Sequence, residues 1–182
     1  NMLALDIAKN AVDISDKAIL PLRFLMTKDI NKLHENHKSL ALQIIKRLDS
    51  GTDVAMLNLG DASIYSTFSY LNEIIKNNGY CSEVIPGVPS FCAAASVLNI
   101  SLTDMKQPLH IIPSNSGDLE KHLYLDGSKV LMKSASALPK VKSLIREKGL
   151  SDKASLVSNC GLPDQRIYQN VEDASENEGY FS

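Results

Sequence analysis

No apolar run in this 182-residue sequence approaches the roughly 18 to 20 residues of a membrane-spanning helix, and stretches such as 54–57 and 84–85 are far shorter. No transmembrane helix and no membrane partner is therefore expected. The first nine residues lack a basic segment with a long apolar run behind it, so no secretory signal is read there. Cysteine is scarce: Cys81, Cys92 and Cys160 are odd in number and widely spaced, which fits neither a disulfide framework nor a zinc site. A reducing cytoplasm is the expected setting. Charge of one sign is missing as well, with 19 Lys and Arg against 21 Asp and Glu, a formal balance of -2. That excludes a strongly basic nucleic-acid binder.

What is present is an ordinary globular mixture, 44% hydrophobic and 22% charged, enough apolar material to bury a core. Its periodicity alternates between strand and helix. Segment 19–26, broken by Pro21, reads as a strand or an extended edge. Leu40, Ile44 and Leu48 then mark a helix stopped by Gly51. The unbroken apolar run 53–59 is the pattern of a strand covered on both faces, and it ends at Gly60-Asp61. Ser63 is the expected N-cap of a helix carrying Ile64, Phe68, Leu71 and Ile75, with Gly79 after it. Residues 81–85 read as a strand, 86–90 as a rigid turn and 91–98 as a short helix.

Beyond Pro108 the alternation repeats: strand 109–112, short helix 119–123, strand 128–133, a helix opened by Pro139 and closed by Gly149, then strands 154–158 and 165–171 as a hairpin. The last dozen residues read as loop. Such alternation predicts an α/β fold of two lobes, 1–106 and 107–182, with largely parallel or mixed sheets and the ligand between them.

Three stretches could carry chemistry. In 59–65 a glycine and a carboxylate stand where a strand gives way to a helix, the position at which parallel α/β sheets take ligands. There is no G-x-G-x-x-G and no Gly-Lys-Ser/Thr, and Asp61 would repel an anion, so a cationic or neutral polar ligand is expected. A plain turn with a capping carboxylate explains the same residues without a ligand. The second stretch, 85–90, holds a glycine between prolines, either to present main-chain groups or simply to join strand to helix. In the third, 130–133, Met132 could pack on a flat heterocycle or in the core. His34, His37, His110 and His122 lack metal-ligand spacing and read as surface histidines, and Lys140, Lys142, Arg146 and Lys148 as a solvated helix face. No G-x-S-x-G elbow is present.

Taken in order, Leu-Gly-Asp-Ala-Ser-Ile-Tyr (59–65), Ile-Pro-Gly-Val-Pro-Ser (85–90), Val-Leu-Met-Lys (130–133) and Asn-Cys-Gly-Leu-Pro-Asp-Gln-Arg (159–166) resemble the tetrapyrrole methylase family. Stretches 20–29, 57–71 and 179–182 are most similar to its C20-methyltransferases of precorrin-2. The resemblance implies the fold of the S-adenosylmethionine-dependent tetrapyrrole methylases, a tetrapyrrole substrate, a homodimer and no protein-bound metal. It implies methyl transfer to C20 of precorrin-2 or cobalt-factor II in cobalamin biosynthesis. The alternatives are a methylase acting at another position and a non-catalytic nucleotide-binding regulatory domain.

By position, the resemblance puts Leu59, Gly60, Asp61 and Ile64 at the amino-acid and ribose end of the donor, with Pro89 and Ser90 beside them. Met132 and Cys160 fall at the adenosine, and Arg23 and Tyr65 at the substrate. Arg23 would pair with a carboxylate, or stand as an ordinary surface arginine. No general base is implied. Ala62 replaces the family's usual proline, and the chain starts after the family's first strand and Gly-Pro-Gly-Asp-Pro loop, so a fragment with an unpaired strand edge is expected.

Overall fold

The computed structural model describes residues 2–175 and Glu178, which leaves 179–182 outside the described residues. The chain divides into two compact units, Asn1–Val88 and Pro89–Ser182.

The first unit is built on three helices, α1 (Leu3–Ala11), α2 (Ile30–Asp49) and α3 (Phe68–Asn77). Asp29 starts α2 by accepting the amides of Asn31 and Lys32 at 3.1 and 3.2 Å, which satisfies two of the free N–H groups of the first turn. The four-residue apolar spacing then brings Leu40, Ala41 and Ile44 of α2 against Leu71 and Ile75 of α3. Leu71 is fully buried, which contributes on the order of 2 kcal/mol to the contact.

Several expectations change here. Segments 19–26, 53–59 and 81–85 are not strands: no ladder is formed among the described residues, and Val54, Leu57, Leu59 and Ile85 are exposed. Apolar content makes a segment strand-like, but only hydrogen bonds from a neighbour make it a strand. Side chains hold these extended pieces instead, as where the Ser82 hydroxyl donates to Asn72 Oδ1 of α3 at 2.5 Å and the Tyr80 hydroxyl donates to Asp49. Ser63 does not cap α3, which begins at Phe68, because its groups are drawn to Asp61. His37 is no surface histidine. It is buried on α2, stacked on Tyr70 with ring centres 4.9 Å apart and meeting the edge of Phe24 at 6.1 Å.

The second unit contains α4 (Ser90–Leu98), β1 (Leu109–Pro113), α5 (Leu119–Leu123), β2 (Ser128–Met132), α6 (Leu138–Glu147), β3 (Leu156–Ser158) and β4 (Arg166–Tyr168). Strands β1 and β2 pair in parallel, with Ile111 opposite Val130, and α5 lies in the crossover between them. Strands β3 and β4 form the antiparallel hairpin, with Val157 opposite Ile167. Ile112, Leu119, Leu138, Val141 and Leu156 share one core, so the unit is mixed α/β.

Lys142 is not on a solvated face: α6 turns it inward, where its ammonium donates to the carbonyls of Glu172 and Ala174. The region after residue 170 begins with a short 3-10 turn, Val171–Asp173, whose Val171 is buried, as is Ala174. No helix among the described residues is long and apolar enough to cross a membrane.

Candidate functional site

The geometry around Asp61 starts from the backbone. Gly60 leaves the extended segment at φ +72°, a conformation that suits glycine, and turns the chain so that the Asp61 carboxylate folds over the residues that follow. Asp61 Oδ1 accepts the Ser63 amide at 2.8 Å and the Ser63 hydroxyl at 2.5 Å, an Asx-type turn. Oδ2 reaches 26 residues along the chain to accept the Gly87 amide at 2.9 Å.

The Gly-Asp-Ala-Ser turn and the Pro-Gly-Val turn, separate in sequence, thus meet within the first unit. They meet closely, for a Cβ on Gly87 would lie 2.2 Å from the Gly60 carbonyl oxygen. The Ser63 hydroxyl, followed by the Ser63 and Gly87 amides, holds the Asp61 carboxyl below its ordinary pKa. Next along the chain Tyr65 adopts φ +48°, rare for a residue with a side chain. The Ser66 hydroxyl donates to Asn58 Oδ1 at 2.7 Å and accepts the Phe68 amide at 3.1 Å, joining the turn to the start of α3. An open groove of about 480 Å³ lies against this turn, lined by Ala62, Ser63, Phe68, Asn72, Lys76 and Val84 among others.

The remaining sequence-derived residues occupy defined places. Leu59 and Tyr65 are substantially exposed, and Ile64 is half-buried. Arg23 is exposed in a strap tied to α2 by Asn36, which donates to the Arg23 carbonyl at 3.3 Å and accepts the Leu25 amide at 3.0 Å. In the second unit Pro89 caps α4 with its carbonyl, which accepts the amides of Cys92 and Ala93, and Ser90 opens the helix, exposed. Met132 ends β2, half-buried, and Lys133 turns away at φ +58°. Cys160 follows Asn159, at φ +53°, in the turn after β3, and burial pushes its thiol pKa up. Among the described residues, three of the four non-glycine residues with positive φ therefore lie in the motif stretches, at Tyr65, Lys133 and Asn159.

The structure brings Gly60 and Asp61 together with Gly87, and adds Ser63 and Asn58, which the sequence reading left without a role in the turn. An Asp with Ser two residues on is an Asx-turn pattern, and that signal was available at Asp61. Among the described residues no group of three His, Cys, Asp or Glu side chains is placed to hold a metal ion.

Fold and loops together define a mixed α/β protein with a glycine-acid turn whose carboxylate is held by Ser63 and Gly87. The chain belongs to the tetrapyrrole (corrin/porphyrin) methylase family, whose model matches residues 2–174. It is 32% identical over 157 residues to a Methanocaldococcus jannaschii protein named probable cobalt-precorrin-2 C(20)-methyltransferase, covering 86% of this chain and 60% of that protein. It is 27% identical over 163 residues to the cobalt-precorrin-2 C(20)-methyltransferase of Salmonella typhimurium, covering 87% of this chain and 68% of the relative. The chain thus spans about 60% of the length of the first of these relatives. Among solved structures, a cobalamin biosynthetic enzyme, cobalt precorrin-4 methyltransferase, matches with a TM-score of 0.63 at 22% identity, over 75% of this chain and 62% of that one. That likeness establishes the fold.

Proposed function

We propose that this chain serves S-adenosylmethionine-dependent methyl transfer to C20 of precorrin-2 or its cobalt form, in cobalamin biosynthesis. The observation that carries the reading is similarity, over 86% of the chain, to a relative named for that reaction. The turn around Asp61 supports it. A sulfonium donor with an ammonium group suits a carboxylate-bearing turn better than a phosphate would.

In this reading Leu59, Gly60, Asp61 and Ile64 serve the amino-acid and ribose end, with Pro89 and Ser90. Met132 and Cys160 serve the adenosine, while Arg23 and Tyr65 face the substrate. Division into lobes 1–106 and 107–182, a cytoplasmic setting, a homodimer and the absence of a resident metal belong to the same proposal.

Bound donor supplies an already activated methyl group, and the reduced tetrapyrrole supplies an electron-rich carbon. The protein's task is then chiefly to align the two at about 3 to 3.5 Å, and no general base is assigned. Calorimetry with S-adenosylhomocysteine tests the donor half of the proposal. Binding in the micromolar range is expected, and no heat at high micromolar protein would contradict it.

A further inference from the structure

The lone pairs of Asp61 are already committed. An ionised carboxylate offers about four acceptor sites, and three are filled by the Ser63 amide, the Ser63 hydroxyl and the Gly87 amide. What little capacity remains makes direct hydrogen bonding to a ligand a poor use of this side chain. Its geometry does something else: the bond to Gly87 spans two turns that lie 26 residues apart in sequence, at a point where Gly87 approaches the Gly60 carbonyl too closely for any side chain. Gly60 and Gly87 leave the two main chains bare on either side of that bond.

We propose that Asp61 is a positioning residue, a clasp that joins the 60–63 turn to the 86–88 turn and so sets the main-chain face presented to the methyl donor, rather than a group that touches the donor. The inference rests on the donor-binding reading above. It deepens that reading by moving recognition from the carboxylate to the backbone that the carboxylate holds. The negative charge still favours a cationic guest at a distance, but the hydrogen bonds are internal.

Alanine at 61 tests this, because it removes both carboxylate oxygens and leaves neither Ser63 nor Gly87 an acceptor. In Asp61→Ala the Gly87 amide should exchange with solvent about tenfold faster or more, while amides of α2 and α3 keep their wild-type rates and show that the unit is folded. Affinity for S-adenosylhomocysteine should fall by about tenfold in parallel. Ser63→Ala removes a donor from Oδ1 but spares the Gly87 bond, so it should cost less affinity and leave Gly87 protected.

Unchanged Gly87 exchange in Asp61→Ala would overturn the clasp. So would lost affinity with Gly87 still protected, which would mean that Asp61 touches the donor itself. If the wild-type protein binds no S-adenosylhomocysteine, the donor reading fails, while exchange at Gly87 still decides whether the clasp exists.

Discussion

The ammonium of Lys142 donates to the carbonyl of Glu172 at 2.9 Å across 30 residues of sequence, and at the same distance to Ala174. A buried cation held by main-chain carbonyls fastens the segment after β4 onto α6. Arg146, on the exposed side of the same helix, pairs with the Glu172 carboxylate at 2.5 Å. Of the two links, the buried one carries more, since exposed ion pairs are screened. Lys142→Met keeps the apolar stem but leaves both carbonyls short of a donor, and should lower stability by about 1 to 3 kcal/mol. Urea denaturation reads this directly, and an unchanged midpoint would contradict it.

His37 predicts a pH dependence of the first unit. Burial, and then the nearby His34, hold its pKa below the ordinary value, so the folded protein prefers the neutral ring while the unfolded chain protonates near pH 6.5. The unfolded state then binds more protons over this range, and stability rises with pH. The contribution is complete above the unfolded value and is lost as pH falls through the lowered folded one. The melting temperature should drop between about pH 7.5 and pH 5.5, and His37→Phe, which keeps an aromatic ring beside Tyr70, should flatten that slope. Equal slopes in the two proteins would assign the effect elsewhere.

Asp61 predicts the opposite insensitivity. Its pKa is lowered by the Ser63 hydroxyl and by the amides of Ser63 and Gly87, so the carboxylate stays ionised until the pH is below the usual carboxylate range near 3.9. Whatever the clasp contributes is present above that range and disappears only below it. Affinity for S-adenosylhomocysteine should therefore be level from about pH 7 down to about pH 5. A fall centred within that window would show that another group controls the site.

Local chemistry made much of the second unit legible in the sequence. The apolar strand 109–112 emerges as Leu109–Pro113, Pro139 opens α6 at its second residue, and the short helix at Leu119–Leu123 stands where its pattern put it. These elements declare themselves through turn residues and periodicity within a few positions. The first unit was less readable because the identity of 53–59 and 81–85 depends on a neighbour's hydrogen bonds, which no property of those residues reveals. The start of α2 was missed for another reason: Asp29 is a good cap, but the stripe of Leu40, Ile44 and Leu48 marks only the half of the helix that packs on α3. At the site, motif order identified Gly60, Asp61 and the 85–90 stretch. That the Asp61 carboxylate spans the two turns was hidden, because it is a contact across 26 residues rather than a pattern within either motif.

The destination of the methyl group is the decisive property of this protein. Incubated with isotopically methyl-labelled S-adenosylmethionine and either precorrin-2 or cobalt-precorrin-2, the protein should yield a product with one added methyl group, placed by NMR at C20. Turnover that puts the label at any other carbon, or no transfer by a protein shown to bind the donor, would contradict the account.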